Sequence, residues 1–310
     1  MTTPLTIANP LPFAMSQQMM AGTLPDITWV GTDRQRHYLS GPLAAAEPTR
    51  GVKIQKIKGA DAPFKHLTQQ GARQDGDDWQ AAYFDPIELD LTISVNGTST
   101  IDRRTVFRSW RMGWSPYATG KMSWTTREFG TWWLFLRKQG PLASELPAMY
   151  VKSAQALDWA CRGDFPFWQS FPSTSQLVAS SATQLVDPNT AKPVNAPNFL
   201  GAFNRGNIPA WPQYLLQGPG VFTLADNGST DREIGIALTF GQTVLLQTMP
   251  RLRSAVEVNT NADVFKLLSN RFSEYVPGRA ALQESITVTG AQPGVTAAQV
   301  QLVPCMDWPE

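Results

Sequence analysis

Residues Asn204 to Val258 read NRGNIPAWPQYLLQGPGVFTLADNGSTDREIGIALTFGQTVLLQTMPRLRSAVEV. Short apolar runs are separated by turn residues at close intervals: Gly218-Pro219-Gly220, Asn227-Gly228 and the lone Gly241. Ile234, Ile236, Leu238 and Phe240 alternate with Gly235, Ala237 and Thr239. A period of two sends alternate side chains to opposite faces of a strand. Thr243 to Thr248 reads as the next strand. Trp211-Pro212 stands at a strand start, where a residue without an N–H is tolerated. Regularly spaced short strands with turn signals between them predict a β-sandwich or barrel.

Towards the C-terminus, Val264, Phe265, Leu268 and Phe272 fall on one face at helical spacing, which predicts a short helix over Asn261–Ser273. Ile286–Val288 and Ala298–Val303 read as closing strands. Towards the N-terminus, residues 176–200 read as a strand and a loop holding Pro188, Pro193 and Pro197, entering the opening stretch through Phe199–Phe203.

The front half is also rich in strands. Ile27–Val30 is short and ends in a turn at Gly31-Thr32-Asp33; Gly51–Lys58 follows. Ile87, Leu89, Leu91, Ile93 and Val95 form the cleanest alternation in the chain, with Glu88 and Asp90 on the solvent face and a turn at Asn96-Gly97. Ser99-x-x-Asp102 resembles a capping box and opens a helix near 102–113, on which Val106, Phe107, Trp110 and Trp114 recur at three- and four-residue steps. Arg103, Arg104, Arg108 and Arg111 take its other faces. Lys121–Trp124 and Gly130–Arg137 pair around a turn at Arg127–Gly130. The second of these is apolar on both faces, so something is expected to cover each. Its tandem Trp132-Trp133 could stack on sugars, but core packing is the commoner fate. After a loop at Pro141–Pro147, Val151–Arg162 reads as one strand running into Phe165-Pro166-Phe167-Trp168, where the domain boundary is placed. Phe64–Ala82, with Asp75, Asp77 and Asp78, reads as a solvated loop, because the bidentate Glu of a calcium loop is missing. Residues 1–25 carry four prolines, which deny a regular helix or ladder. Leu5, Ile7, Leu11, Phe13, Met15, Met19 and Met20 are too many apolar side chains for a solvated tail, so the segment reads as an extended arm.

The 310 residues suffice for two domains with sizeable cores. Charged residues make up 16% of the chain, against about 25% in an average protein. The formal net charge of +1 gives no global field for nucleic acid. Cys161 and Cys305 are too few for a disulfide framework; one bridge is open to them, and two reduced, buried thiols is the favoured reading. No secretory signal is read at the N-terminus, and no apolar run nears the ~20 residues of a membrane span. Only His37 and His66 join the cysteines as soft metal donors, in no register. No G-x-S-x-G elbow or phosphate-binding glycine loop occurs. A glycosidase needs only two carboxylates in a cleft, which spacing in sequence does not reveal.

The order Asn204-x-Gly206, Pro212 opening a strand, Gly218, two strands, then a strand closing on Met249-Pro250-Arg251 resembles the galectin-like domain of distal tail proteins of long-tailed, siphovirus-type bacteriophages, the actinobacteriophage members above all. Val276-Pro277-Gly278 is similar to that family's Pro-Gly before its last strands, with Arg279 where asparagine is usual. Met306-Asp307-Trp308-Pro309 is similar to an aromatic-proline ending of the same members. The front half is similar to the family's ring-forming domain at Ile27–Val30, Gly51–Ile54, Ile87–Val95, the arginine-bearing helix, Trp132–Leu136 and Asp164-x-Pro166-Phe167-Trp168. The resemblance implies a mainly β protein: an extended arm (1–25), a ring-forming, belt-like β domain with one helix (26–172) and a galectin-like β-sandwich (173–310). It implies a structural virion protein of the tail tip, made in the host cytoplasm, forming a homo-oligomeric, hexameric ring between the tail tube protein and the tail hub and tail-tip proteins. It implies no catalysis, no cofactor, no nucleic acid and no membrane insertion. The positions expected to carry fold or assembly are Trp29, Leu91, Ile93, Trp110, Trp132, Trp168, Trp211 and Pro212. The rival reading is a carbohydrate-binding module of the tail tip that contacts the host surface.

Overall fold

The computed structural model describes residues 25–70, 75–141, 154–189 and 198–309. The expected arm, save Pro25, lies outside them, as do all but Pro141 of the Pro141–Pro147 loop, the start of the Val151–Arg162 strand, and Pro193 and Pro197. In chain order the elements are β1 (Asp26–Val30), β2 (Arg36–Tyr38), α1 (Pro42–Ala46), β3 (Gly51–Lys58), β4 (Phe64–Gln69), β5 (Asp78–Phe84), β6 (Ile87–Asn96), α2 (Thr100–Met112), β7 (Gly120–Thr126), β8 (Gly130–Lys138) and β9 (Ala154–Gly163). They continue with β10 (Trp168–Ser170), β11 (Ser173–Ala179), β12 (Leu185–Val186), β13 (Asn198–Phe203), β14 (Gln213–Gln217), β15 (Gly220–Asp226) and β16 (Ser229–Leu238). The last are β17 (Thr243–Gln247), β18 (Ser254–Glu257), β19 (Ala281–Thr289), β20 (Ala297–Leu302) and β21 (Cys305–Met306). The protein is mainly β. It divides into two compact units, Met1–Trp168 with Asp307–Glu310, and Gln169–Met306. The second unit is therefore an insertion: the chain leaves the first unit after Trp168 and rejoins it at Asp307.

In the first unit, one antiparallel sheet runs β2-β1-β7-β8-β9-β6-β3. The Ile54 amide donates to the Leu39 carbonyl at 2.9 Å, stitching the β3 side of the sheet to the chain just beyond β2. Alternation in β6 sends Ile87, Leu89, Leu91, Ile93 and Val95 fully inward and leaves Glu88 and Asp90 outside. Leu91 stands opposite Trp159, and Ile93 opposite Leu157 and Ile54. The helix begins where the cap is: the Ser99 hydroxyl accepts from the Asp102 amide at 3.1 Å. Its apolar stripe, Val106, Phe107 and Trp110, is buried. Gly97 is required by this turn, since a Cβ there would lie 2.3 Å from the Arg103 nitrogen.

The second unit stacks two antiparallel sheets, β12-β11-β20-β14-β17-β18 and β13-β19-β15-β16. Their inward residues, among them Tyr214, Leu216, Phe222, Leu224, Ile234, Ile236, Val244, Leu246, Ile286 and Val300, form one core. Asn227-Gly228 turns β15 into β16 with φ of 51° and 91°, the paired positive values of a two-residue hairpin turn.

Five expectations are corrected. The segment expected as a helix over Asn261–Ser273 holds only a 3-10 turn at Phe265–Leu267. Beyond it the chain runs along β16: Ser269 N donates to Gly235 O at 2.9 Å and Asn270 Nδ2 to Glu233 O at 2.9 Å. Val264 and Phe272 are buried from this strap, so its spaced apolar residues mark one-sided packing without a helix. Phe64–Ala82, expected as a loop, contains the β4–β5 hairpin. Arg103 is buried on the inner side of α2, whereas Arg104, Arg108 and Arg111 are exposed. The outer face of β8 is not fully covered: the Lys121 ammonium sits 4.1 Å from the Trp133 ring, but Phe135 is 43% exposed. Finally, β16 ends at Leu238, and Phe240 is exposed beyond it.

Candidate assembly surface

All of the sequence-selected positions but Trp211 lie in the interior. Trp29, Leu91, Ile93, Trp110, Trp132 and Trp168 are buried. Trp29 stacks on Trp114 with ring centroids 3.7 Å apart, and Trp110 meets Trp114 edge-on at 5.3 Å and Trp159 at 5.8 Å. This is a packed aromatic core, in which offset and edge contacts add to burial. Trp132 Nε1 donates to Phe129 O and Trp168 Nε1 to Ala60 O, each at 2.9 Å. Trp211 is half-buried against Tyr275, and the buried Pro212 accepts at its carbonyl from the Thr248 hydroxyl at 2.7 Å. These residues fill cores and do not meet in one cleft.

The motif positions have a local explanation. Asn204 is fully buried, and its amide donates to the carbonyls of Ile208, Val276 and Pro277 at 2.9, 3.2 and 3.0 Å. Its Oδ1 accepts from the Gly206 amide at 3.1 Å. A Cβ on Gly206 would lie 1.8 Å from the Cys305 carbonyl oxygen, and one on Gly278 would lie 2.4 Å from that of Asn207. Asn204-x-Gly206 and Pro277-Gly278 are thus two halves of one crossing, where backbones approach too closely for a side chain. Arg279, with φ of 59°, bonds through its amide to Gly206 O at 2.8 Å.

Carboxylates are buried nearby. Asp226 accepts from the Ser273 amide at 2.9 Å, its hydroxyl at 2.6 Å and the Glu274 amide at 3.2 Å. Tyr214 donates to Asn227 Oδ1 at 2.9 Å. Burial pushes the Glu284 carboxyl up to about 8. This node ties the strap at 273–274 to the β15–β16 turn inside the sandwich, away from solvent. Both thiols are free and buried, and burial raises both, Cys305 to about 12. Among the described residues no group of three His, Cys, Asp or Glu could hold a metal, and no helix is long and apolar enough to cross a membrane.

Exposed large apolar side chains occur on both units. In the β4–β5 hairpin Phe64 and Leu67 are each 54% exposed and Trp79 64%. Trp79 Nε1 donates to His66 Nδ1 at 3.2 Å, and Phe64 meets His66 edge-on at 5.2 Å, so all three share one face. The outer side of α2 carries Arg104, Arg108 and Arg111 between the exposed Ile101 and Met112. Beside it a cleft of about 540 Å³ is lined by Arg36, His37, Glu47, Arg50, Lys53 and Ser109, among others. Burial lowers His37 and Lys53 there, against Asp33 and Glu47 respectively. Sequence reasoning missed the hairpin surface. The signal present was a pair of aromatic-bearing runs flanking Gly76, whose φ is 85°.

No protein-family model matches the chain, and no curated protein matches it in sequence. Its fold matches solved structures. It aligns with the Dit protein of phage SPP1, described as a paradigm of the hub adsorption apparatus of phages infecting Gram-positive bacteria, at a TM-score of 0.57 and 10% identity over 90% of this chain and 98% of that one. It aligns with a chain of the phage p2 baseplate in its activated conformation with strontium at a TM-score of 0.51 and 10% identity, over 92% and 99%. For the same baseplate with calcium the values are 0.50 and 9%, over 92% and 100%.

Proposed function

We propose, from the fold shared end to end with these phage hub and baseplate chains, that this protein is a structural component of a phage tail tip. Its copies form a closed homo-oligomeric ring, a hexamer by the family resemblance, that joins the tail tube to the hub and the tail-tip proteins. The first unit builds the ring, the galectin-like second unit projects from it, and the arm at 1–25 packs on an adjacent subunit or tail protein. The role is assembly without catalysis, and the protein resides in the virion.

The observation that carries this reading is coverage: the alignment to phage SPP1 Dit takes in 90% of this chain and 98% of that one, so it includes both units. A sandwich shared alone would support many functions, since folds host unrelated ones; two units joined in the same order narrow the choice. The low charge content and the exposed aromatics of the first unit agree with surfaces meant for neighbours. Antibody labelling of intact particles tests it. Label is expected at the junction of tail tube and tip; label absent from particles, or found on capsids, contradicts it.

A further inference from the structure

We infer that the strap along β16 forms a binding site for a phosphate monoester carried on a sugar. The site lies within the second unit; it goes beyond the assembly role and does not depend on it. A cleft of about 520 Å³ is lined by Arg232 of β16 and by strap residues between Phe265 and Arg271. Its apolar residues are fixed, because Phe265 and Leu268 pack against the sandwich core. The strap itself is pinned. Ser269 and Asn270 bond to β16, and Asp226 holds the Ser273 and Glu274 amides at 2.9 and 3.2 Å. Arg232 Nη1 ties β16 to the strap, donating to the Arg271 carbonyl and to the Ser273 hydroxyl at 3.3 Å each. A site held in place before its ligand arrives loses less entropy on binding.

The charge of the cleft has one sign. Arg232, Lys266 and Arg271 line it, and no carboxylate does. All three are exposed, and among the described residues none of them forms an ion pair. Asp231 and Glu233, beside Arg232 in sequence, are exposed on β16 and outside the lining. Against three cations a carboxylate brings one negative charge, whereas a phosphate monoester brings about −1.5 to −2 at neutral pH and three acceptor oxygens. Guanidinium forks suit such an oxyanion. The cleft also offers more than an ion needs. Pockets of roughly 300–1,000 Å³ hold whole small molecules, and the Arg271 guanidinium lies 5.8 Å from the Phe265 ring centroid, so charge and apolar surface adjoin. Ser269 Oγ accepts from the Gly235 amide at 2.7 Å, which leaves its own hydrogen to donate. Asn270 Nδ2 is committed to Glu233 O at 2.9 Å, which leaves its Oδ1 to accept. Hydroxyl groups both donate and accept, so they suit that pair. A phosphopeptide fits less well. The strap already takes the β16 edge at Glu233 and Gly235, where a peptide would add as a strand.

Isothermal titration calorimetry on the full chain tests this. The probes are glucose 6-phosphate, galactose 6-phosphate and mannose 6-phosphate; the comparators are glucose, inorganic phosphate and a phosphoserine peptide. At least one hexose phosphate is expected to bind one to one and more tightly than inorganic phosphate, with no binding of glucose. Lys266→Gln and Arg271→Gln should each weaken that binding by about tenfold, the size of one lost charged hydrogen bond, with unchanged melting temperatures. Lys58→Gln, at an exposed lysine of the first unit, should leave it unchanged. Three results would overturn the inference: no binding of any hexose phosphate at millimolar concentration, affinity indifferent to both substitutions, or inorganic phosphate or the phosphoserine peptide binding as tightly as the best hexose phosphate. Localisation to the tail tip is read separately, so each of these failures leaves the functional reading standing.

Discussion

Glu284 is a carboxyl with no exposed surface in the core of the sandwich. Its folded value of about 8 lies above the ordinary 4.5. The folded protein therefore keeps a proton that the unfolded chain has released. The stability linked to this proton is complete below about 4.5 and is lost as pH rises through about 8. The loss is on the order of 5 kcal/mol. Urea unfolding of the second unit should show this decline between pH 5 and pH 9, and Glu284→Gln should flatten it; equal slopes in both proteins would refute the assignment. Arg279 occupies a left-handed backbone position, where asparagine is more at ease. Arg279→Asn should stabilise the chain by about 0.5–1 kcal/mol in thermal or urea unfolding, and a lower melting temperature would contradict this. Leu91 is fully buried opposite Trp159, so Leu91→Ala should cost about 2–5 kcal/mol. At this scale the sequence was informative where a pattern repeats. The period in β6 identified Leu91 and Ile93, and the motif identified Asn204 and Gly206. Glu284 was invisible, because a single glutamate in a strand looks like any solvent-facing residue until the opposing sheet is placed over it.

Two elements with similar apolar spacing had opposite outcomes. Thr100–Met112 is a helix, and Asn261–Ser273 is a strap with one 3-10 turn. The difference is at the ends. The first has Ser99 as its cap, and Asp102 reaches back to the Thr98 amide at 3.1 Å and across to Arg50 Nε at 3.1 Å. The strap spends its polar residues elsewhere: Asp263 Oδ1 takes the Phe265 amide at 2.9 Å, and Asn270 bonds to β16. Side chains that offer the backbone other partners favour turns over helix interiors. Ser99→Ala should therefore cost about 1 kcal/mol, read as a shift in the urea midpoint. The β4–β5 hairpin was missed because its tip is aspartate-rich and its aromatic face is uncovered, so no half-buried alternation marks it. The crossing at Gly206 is the most sensitive joint between elements. Gly206→Ala forces a Cβ to within 1.8 Å of the Cys305 carbonyl, which backbone must yield to accommodate. Loss of soluble protein, or destabilisation beyond about 3 kcal/mol, is expected; a normally melting variant would show that the crossing is looser than described.

At the scale of the molecule, the mainly β class was legible. The return of Asp307–Pro309 to the first unit was not, because long-range connections leave no mark in local pattern. That return is made by the Ala62 amide on the Asp307 carbonyl at 3.0 Å and by Trp308 against Trp124 at 6.4 Å. Within the first unit, the Ile54–Leu39 bond stitches the β3 side of the sheet to the chain just beyond β2. The measurement that tests the central claim most directly is an electron cryo-microscopy map of the tail tip of a phage particle that encodes this chain. The account predicts a single closed ring of copies at the end of the tail tube, first units meeting side by side around the axis. Copies set singly on the periphery, touching no other copy, would contradict it and favour a carbohydrate-binding module.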